Sequence, residues 1–238
     1  MNFLRGKNKA VTFSFDDGNA DDKRVIEILN KYGLKGTFNL NSGSLSGTSE
    51  WNSGRKTVYH INYCTDSDIY IGHEVACHSY RHPHLEKLDE DTLYNEIHLD
   101  KIILSALFHC DVRGMAYPYG TYNDNVIEAL KKCGIEYSRT VKSTYSFDLP
   151  DNPLVLNPTC HFQDEKVTEL AEQFLNSESD EPMLFYIWGH SYELVTEEEW
   201  QRFEDLCRML SNKKNVCYCT NIEVIDAANS LKNASAAE

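Results

Sequence analysis

Two hydrophobic periods alternate along the chain. In residues 11–15, V-T-F-S-F, apolar side chains recur at every second position, which is typical of a strand with one more apolar face. In residues 21–32 they recur at helical spacing, and Gly33 follows where a helix commonly ends. The pattern therefore predicts a strand followed by a helix at the start of the chain.

The same alternation continues through most of the sequence. Further strands are predicted at residues 36–40, 74–78, 114–117, 136–141, 183–188 and 215–220. Further helices are predicted at residues 89–110, 123–133, 164–175 and 196–210, and after residue 220. Residues 41–62 are rich in Ser, Gly and Asn and are predicted to form a long loop. Residues 143–160 hold three of the six prolines and are predicted to be irregular.

About seven strand–helix units follow from this pattern, with neither an internal repeat nor a linker to divide them. Strands that alternate with helices favour a mostly parallel sheet covered by helices. At 238 residues, such a sheet closes most naturally into a barrel. We therefore predict one α/β domain over residues 1–238, with its core at about residues 9–230.

Composition narrows the range of partners. The formal net charge of −14 argues against binding to nucleic acid or to anionic membrane surfaces. The longest apolar stretch, residues 102–108, is too short to span a bilayer, and the first residues lack the apolar core of a signal peptide. We expect a cytoplasmic protein, or an extracellular one if an export signal has been removed. The oligomeric state is left open.

Chemically reactive residue types cluster directly after the predicted strands, where barrels and open α/β folds place their active sites. Asp16 and Asp17 end the first strand, and Gly18 permits the chain to turn sharply there. Adjacent strand residues point to opposite sides, so one carboxylate can bind a metal while its neighbour handles a proton. A solvated turn is the alternative for this motif alone.

His78 and His82 follow the strand predicted at residues 74–78. At a spacing of four, both imidazoles are expected on one side of a helical turn, within reach of a single ion. Two imidazoles and one carboxylate form a three-ligand set that leaves room for water. His84 is an alternative ligand, although Pro83 is expected to interrupt the register.

Two more motifs follow later strands. In A-Y-P-Y-G, residues 116–120, a turn of proline, aromatic residue and glycine can direct a backbone N–H into a pocket, or it is an ordinary turn. In W-G-H, residues 188–190, the histidine follows an apolar strand beside an indole. That position suits acid–base chemistry, with a buried structural histidine as the alternative.

In chain order, F-S-F-D-D-G, G-H-E-V-A-C-H-S-Y-R-H-P, Y-P-Y-G and W-G-H resemble the motifs of the polysaccharide deacetylases. These proteins form carbohydrate esterase family 4 and carry the nodulation-deacetylase homology domain. The resemblance spans the chain from Val11 to about Cys219, and the second motif is the most specific. It implies a distorted (β/α)7 barrel, which agrees with the number of predicted strands.

The resemblance implies a role for each matched residue. Asp17, His78 and His82 would hold one divalent metal ion, with Zn²⁺ expected and Co²⁺ or another divalent ion as the alternative. Asp16 would be the general base, and His190 would be the general acid. The backbone N–H of Tyr119 would help to bind the oxyanion.

The chain departs from the family pattern in three places. The family has an arginine that supports the catalytic aspartate where this chain has Ala116, and Arg113, three residues earlier, need not reach the site. Trp188 stands where the last motif usually has leucine. The segment that orients the acid histidine has no clear match. Its candidates are Asp148, Glu193 and Asp164.

The expected activity is removal of an acetyl group, with the N-acetyl of an amino sugar or oligosaccharide as the leading substrate. Tyr117, Trp188 and His161 are candidates for contact with the sugar, and packing in the core is an equal alternative. An O-acetyl carbohydrate esterase would use the same residues. A non-haem iron oxygenase also uses two histidines and one carboxylate. A non-catalytic glycan-binding domain is the third alternative.

Overall fold

The computed structural model describes residues 4–235, and that range contains strands and helices in the predicted alternation. The strands are β1 (Lys9–Asp16), β2 (Gly36–Leu40), β3 (Glu50–Asn52), β4 (Thr57–Tyr59), β5 (Glu74–Cys77), β6 (Gly114–Ala116), β7 (Tyr137–Arg139), β8 (Cys160–His161), β9 (Met183–Gly189) and β10 (Val216–Tyr218). The helices are α1 (Asp22–Lys31), α2 (Tyr63–Asp66), α3 (Glu90–Phe108), α4 (Asp124–Lys132), α5 (Val167–Asn176), α6 (Glu197–Leu210) and α7 (Asn221–Ser235).

Eight of these strands form one parallel sheet in the order β7-β6-β5-β2-β1-β9-β8, with β10 paired to β1. Because β9 pairs with β1 along residues 9–15, β10 and β2 share the opposite edge of β1. β10 takes the first half of that edge and β2 takes the second half. The sheet curls into an incompletely closed barrel, which confirms the predicted α/β fold and the distorted (β/α)7 barrel.

The irregular segment predicted at residues 143–160 runs between the two outer strands, β7 and β8. Leu156 accepts the N–H of Thr140 and donates its own N–H to Ser138 of β7, both at 2.9 Å. Three residues later, the N–H of Thr159 donates to the carbonyl oxygen of Tyr186 in β9 at 2.8 Å. The segment therefore supplies backbone hydrogen bonds across the gap that the sheet leaves open.

The loop predicted at residues 41–62 is not wholly irregular, because β3 and β4 form an antiparallel hairpin within it. Each strand has three residues, and only Val58 among them is fully buried. Strands of three residues are too short for their alternation of apolar and polar residues to be recognised in the sequence.

β1 is buried on both faces, as expected of the central strand of a covered parallel sheet. Phe13 and Phe15 point toward the helices, where both rings meet the ring of Phe203 in α6 edge-on. The alternate residues point into the barrel, where Ser14 accepts a hydrogen bond from the side-chain amide of Asn39 at 2.9 Å. The barrel interior is therefore polar near the site, although Ala10 packs deeper inside with Leu184 and Tyr186 in a second apolar cluster. The larger apolar core lies between sheet and helices. In the described part of the chain, no helix is both long and apolar enough to cross a membrane.

α3 fixes the ends of two neighbouring strands through one buried carboxylate. Asp100 is fully buried, and its two oxygens accept the backbone N–H groups of Ser42 at 2.8 Å and His78 at 3.0 Å. Ser42 lies just after β2 and His78 just after β5. Burial raises the pKa of Asp100 to about 7 even though these hydrogen bonds act in the opposite direction.

Replacing Asp100 by Ala is expected to lower the free energy of unfolding by about 2 kcal/mol, because it removes the acceptor of the Ser42 N–H and one of two acceptors of the His78 N–H, which also donates to the carbonyl oxygen of Leu40 at 2.9 Å. Asp91 is exposed in the first turn of the same helix and serves as the control. Asp91→Ala should cost less than about 1 kcal/mol, the range of a charge at a helix N-terminus. Urea unfolding of both variants measures the difference. Equal losses would show that Asp100 does not hold the strand ends.

Candidate active site

The candidate site lies where β1, β5 and β9 end. Asp16 is the last residue of β1, and Asp17 follows with a φ of 77° before Gly18 at 60°. A left-handed conformation at a non-glycine residue is uncommon and costs free energy, and here it occurs at Asp17, itself a candidate metal ligand. The turn places the carboxylate of Asp17 near the two histidines that follow β5.

Three potential ligand atoms from Asp17, His78 and His82 lie close together. The Nε2 atoms of the two histidines are 3.1 Å apart, and Oδ1 of Asp17 lies 3.5 Å from Nε2 of His78 and 3.7 Å from Nε2 of His82. Ligand atoms around a tetrahedral Zn²⁺ with bonds of 2.0–2.1 Å are about 3.3 Å apart, so this spacing suits such an ion. The three residues proposed from sequence are therefore brought together.

The segment from His78 to His82 is not helical, and the prediction of a shared helical turn was wrong. Ser79 has a φ of 64° and His82 a φ of 59°, both in the left-handed region. The hydroxyl of Ser79 accepts the backbone N–H of His82 at 3.0 Å, which closes a tight loop. The convergence of the two rings depends on this loop rather than on helical periodicity.

The protonation of both histidines fits a metal ion. Nδ1 of His78 lies 2.8 Å from the carbonyl oxygen of Ala116, which can only accept, so Nδ1 carries the proton and Nε2 is free to bind. For His82, burial and the neighbouring His78 lower the pKa to about 4, so its imidazole is neutral at ordinary pH. Two neutral imidazoles and a carboxylate match the ligand preference of Zn²⁺ and related divalent ions.

A second group of histidine and carboxylate side chains, His161, His190 and Glu193, does not fit a metal ion equally well. Nδ1 of His161 accepts the backbone N–H of Gln163 at 3.1 Å, so the proton of the neutral ring lies on Nε2. That Nε2–H donates to Oε2 of Glu193 at 2.9 Å. No lone pair of His161 is left for an ion, and the group is better described as a hydrogen-bonded cluster.

Asp16 is buried and held in an ion pair. Its Oδ2 contacts the guanidinium of Arg139, and its Oδ1 accepts the side-chain amide of Asn39 at 2.8 Å. Burial raises the pKa of Asp16, but the positive charge of the adjacent Arg139, the largest of the opposing effects, outweighs burial and lowers the pKa to about 2. Asp16 is therefore a carboxylate at any ordinary pH.

Arg139 is the important site residue that the sequence analysis missed. It is the last residue of β7, has 0% exposure and reaches Asp16 from across the barrel. Arg113 lies at the surface instead, where its guanidinium is 2.6 Å from Glu136 and 2.7 Å from Asp226. The available signal was an arginine inside a strand predicted at residues 136–141, since a charged residue in a buried strand usually has a partner.

In the strand order of the sheet, β1 lies between β7, which carries Arg139, and β9, which is followed by His190. His190 therefore approaches the two aspartates from the other side. Its Nε2 is 4.0 Å from Oδ2 of Asp16 and 3.9 Å from Oδ2 of Asp17. Its Nδ1 is 3.4 Å from Oε1 of Glu193, and its backbone N–H donates to Oε2 at 2.9 Å. Burial lowers the pKa of His190, but the carboxylates of Glu193, Asp17 and Asp16 outweigh this and raise it to about 9.

Of the three residues considered for orienting His190, Glu193 is the one beside it. Asp148 instead accepts a hydrogen bond from Ser146 at 2.5 Å in the segment between β7 and β8. Asp164 accepts the hydroxyl of Tyr145 at 2.9 Å. Glu193 follows the histidine by only three residues, so this pairing was available from the sequence.

The aromatic candidates occupy different positions. Tyr117 is 1% exposed, and its hydroxyl donates to the carbonyl oxygen of Leu154 at 2.7 Å, so of its two alternatives the structure favours packing in the core. Tyr119 is exposed, with a φ of 58°, and its ring centre is 4.5 Å from that of His82. The ring of Trp188 covers the guanidinium of Arg139 at 4.4 Å.

The model of the polysaccharide deacetylase family matches residues 4–138, more than half of this chain. The Bacillus subtilis (strain 168) protein YxkH, named as a candidate polysaccharide deacetylase, is 24% identical over 139 residues, which are 56% of this chain and 45% of YxkH. The chain therefore spans less than half the length of this relative.

Two solved structures share the fold at 17% identity. A Mycobacterium smegmatis protein, also named as a candidate polysaccharide deacetylase, has a TM-score of 0.69 and covers 98% of this chain and 94% of its own. A family 4 carbohydrate esterase from Streptomyces lividans, solved with acetate, has a TM-score of 0.57 and covers 89% of this chain and 92% of its own. Together with the four motifs and the site geometry, the family match establishes that the chain belongs to the polysaccharide deacetylase family, carbohydrate esterase family 4.

Proposed function

We propose that the chain is a metal-dependent deacetylase that hydrolyses the N-acetyl group of an amino sugar or oligosaccharide. The observation that carries the proposal is the arrangement of two imidazoles and one carboxylate, from His78, His82 and Asp17, beside the buried Asp16. His190 lies on the other side of Asp16. When bound by Asp17, His78 and His82, a divalent ion supplies polarisation of the acetyl carbonyl and lowers the pKa of water.

Asp16 is proposed as the general base. Oδ2 of Asp16 lies 3.9 Å from Nε2 of His78, so the carboxylate borders the ligand group. A carboxylate with a pKa of about 2 is a weak base, so it removes a proton only from water that has been made more acidic. The ion pair with Arg139 keeps this carboxylate ionised and fixed in direction.

The oxyanion that forms at the acetyl carbon is proposed to accept the backbone N–H of Tyr119. This residue lies in a tight turn after β6, and its ring borders His82. A backbone N–H held in a rigid turn is already oriented before the reaction, which is the property that makes such donors effective.

His190 is proposed as the general acid, with Glu193 orienting it. The raised pKa of about 9 means that His190 is an imidazolium at neutral pH and carries a proton to donate. An amine leaves only when it is protonated, whereas an ester needs this proton less. A protonated His190 would therefore matter more for an amide substrate than for an ester. The bound acetate of the Streptomyces lividans esterase is consistent with release of acetate at a site of this kind.

Acetate release from N-acetylglucosamine oligomers tests the proposal. Turnover should stop with a chelator and return when Zn²⁺ or Co²⁺ is added, because the ligand group would be emptied and refilled. His82→Ala should lose both metal and activity. His98→Ala removes a partly buried histidine that stacks on Tyr94 in α3 and should keep both. Metal content by mass spectrometry and acetate by a coupled assay measure the two effects.

A sugar oligomer that is bound but never deacetylated by the metal-loaded protein would instead favour the glycan-binding alternative. Full metal occupancy in His82→Ala would remove that residue from the ligand group. Activity on O-acetyl but not on N-acetyl sugars would identify an esterase that uses the same residues.

The leaving group provides a second test. His190→Ala should lower kcat/KM on an N-acetyl substrate by about 10²–10⁴-fold, the usual contribution of a positioned acid. An activated acetyl ester should lose much less, because its leaving group departs without protonation. Glu193→Gln should show the same selectivity in weaker form, since it keeps the shape of the side chain but removes its charge. Equal losses on amide and ester in His190→Ala would assign it to substrate positioning, and a selective amide loss in His161→Ala alone would move the acid role there.

A further inference from the structure

Two departures from the family pattern meet inside the barrel. Ala116 stands where an arginine is usual, and Trp188 stands where leucine is usual. Arg139 is adjacent to both positions, because it pairs with Ala116 across β6 and β7 and the ring of Trp188 covers its guanidinium at 4.4 Å. The same guanidinium contacts Asp16. The arginine and the tryptophan therefore form one unit beside the carboxylate.

The topology makes this unit a contact across the barrel. Arg139 belongs to β7, at one end of the strand order, whereas Trp188 belongs to β9, beyond β1. Trp188 is in register with Ser14 of β1, whose side chain points into the barrel interior, so the indole points there too. The guanidinium spans the interior between these strands.

Few hydrogen bonds fix the guanidinium. One nitrogen contacts Asp16 and another donates to the carbonyl oxygen of Thr140 at 3.0 Å. Its Nε is buried and has no hydrogen-bond partner within residues 4–235. A planar cation held in this way still needs a surface that sets its plane, and the indole of Trp188 provides the face that attracts cations most strongly.

Trp188 is itself held in place by the residues around the proposed acid. Its ring meets the ring of His161 edge-on at 5.0 Å and that of His190 at 5.6 Å. His161 in turn packs directly over Gly189, where a Cβ would come within 2.7 Å of Nε2 of His161. The indole is therefore packed against two histidine rings of the site as well as against Arg139.

We propose that Trp188 is a positioning residue that acts through Arg139 to hold the carboxylate of Asp16 in the direction needed for turnover. Leucine at position 188 would leave the face of the guanidinium uncovered and free to rotate away from Asp16. The effect on turnover rests on the proposed function, whereas the coupling among Trp188, Arg139 and Asp16 is a property of the fold.

The kinetic test compares Trp188→Leu, Trp188→Phe and Arg139→Lys, alone and combined, on an N-acetylglucosamine oligomer. Trp188→Leu should lower kcat by about tenfold with little change in KM, the rate equivalent of a desolvated cation–π contact. Trp188→Phe keeps a ring face and should retain most of the activity. In the Arg139→Lys background, whose side chain has no planar face, Trp188→Leu should cause no further loss.

A matched control exists elsewhere in the chain. The guanidinium of Arg24 lies 4.4 Å from the ring of Trp200, the same distance as in the pair at the site. Trp200→Leu removes a contact of the same length away from Asp16, to an arginine whose side chain is 43% exposed, so its effect on kcat per folded molecule should be additive with that of Arg139→Lys. Additive effects of Trp188→Leu and Arg139→Lys would overturn the proposal. A change confined to KM would do the same by making Trp188 a substrate contact.

Unfolding of the metal-free proteins separates this proposal from the proposed function. The effect of Trp188→Leu on the urea midpoint should shrink in the Asp16→Asn background, because the ion pair that orients Arg139 is then gone. This coupling is expected even if the wild type releases no acetate from any sugar, a result that would refute the proposed function alone. Equal midpoint shifts in both backgrounds would show that Trp188 does not act on Asp16.

Discussion

The ion pair between Asp16 and Arg139 is the interaction on which the rest of the site depends. Both side chains are almost fully buried, with 3% and 0% of their side-chain surface exposed. Removing two charges from water is costly, and the attraction between them offsets that cost only when other groups satisfy their remaining hydrogen-bonding atoms. Asn39 and the carbonyl oxygen of Thr140 do so in part. Loss of either partner would leave an uncompensated charge in the barrel, so the pair constrains β1 and β7 to their relative positions.

The histidines of the site differ in role because their second ring nitrogens have different partners. His78 donates from Nδ1 to a carbonyl oxygen, which frees Nε2 for an ion. His161 accepts a backbone N–H at Nδ1, which places its proton on Nε2 and directs it to Glu193. His190 faces carboxylates on both sides and gains a proton. One side-chain type thus provides a proposed metal ligand, a hydrogen-bond donor and a proposed acid.

The polar level of the barrel interior explains how the carboxylate of Asp16 can be both buried and rigid. Ser14 and Asp16, which alternate with Phe13 and Phe15, face a hydrogen-bonded level of the interior. Deeper in the barrel, a second apolar cluster contains Ala10, Tyr137, Leu184 and Tyr186. The larger apolar core lies on the other side of the sheet, against the helices. Arg139 and Trp188 therefore meet Asp16 at the polar level of the interior.

Local residue patterns were enough to predict the α/β alternation and the strand ends that carry chemistry, whereas the grouping of Asp17, rather than Asp16, with His78 and His82 was implied by the resemblance to the family motifs. These features depend on period, turn residues and motif spacing, which are properties of neighbouring positions. The tertiary structure decided three further features, because burial and left-handed turns have weak sequence signals. These are the burial of Tyr117, the non-helical loop at His82 and the hairpin at residues 50–59. Arg139 and Trp188 lie 123 and 172 positions from Asp16 in the sequence, and only the curl of the sheet brings them together. Contacts across a barrel interior follow from how strands close upon one another, and no local pattern contains that information.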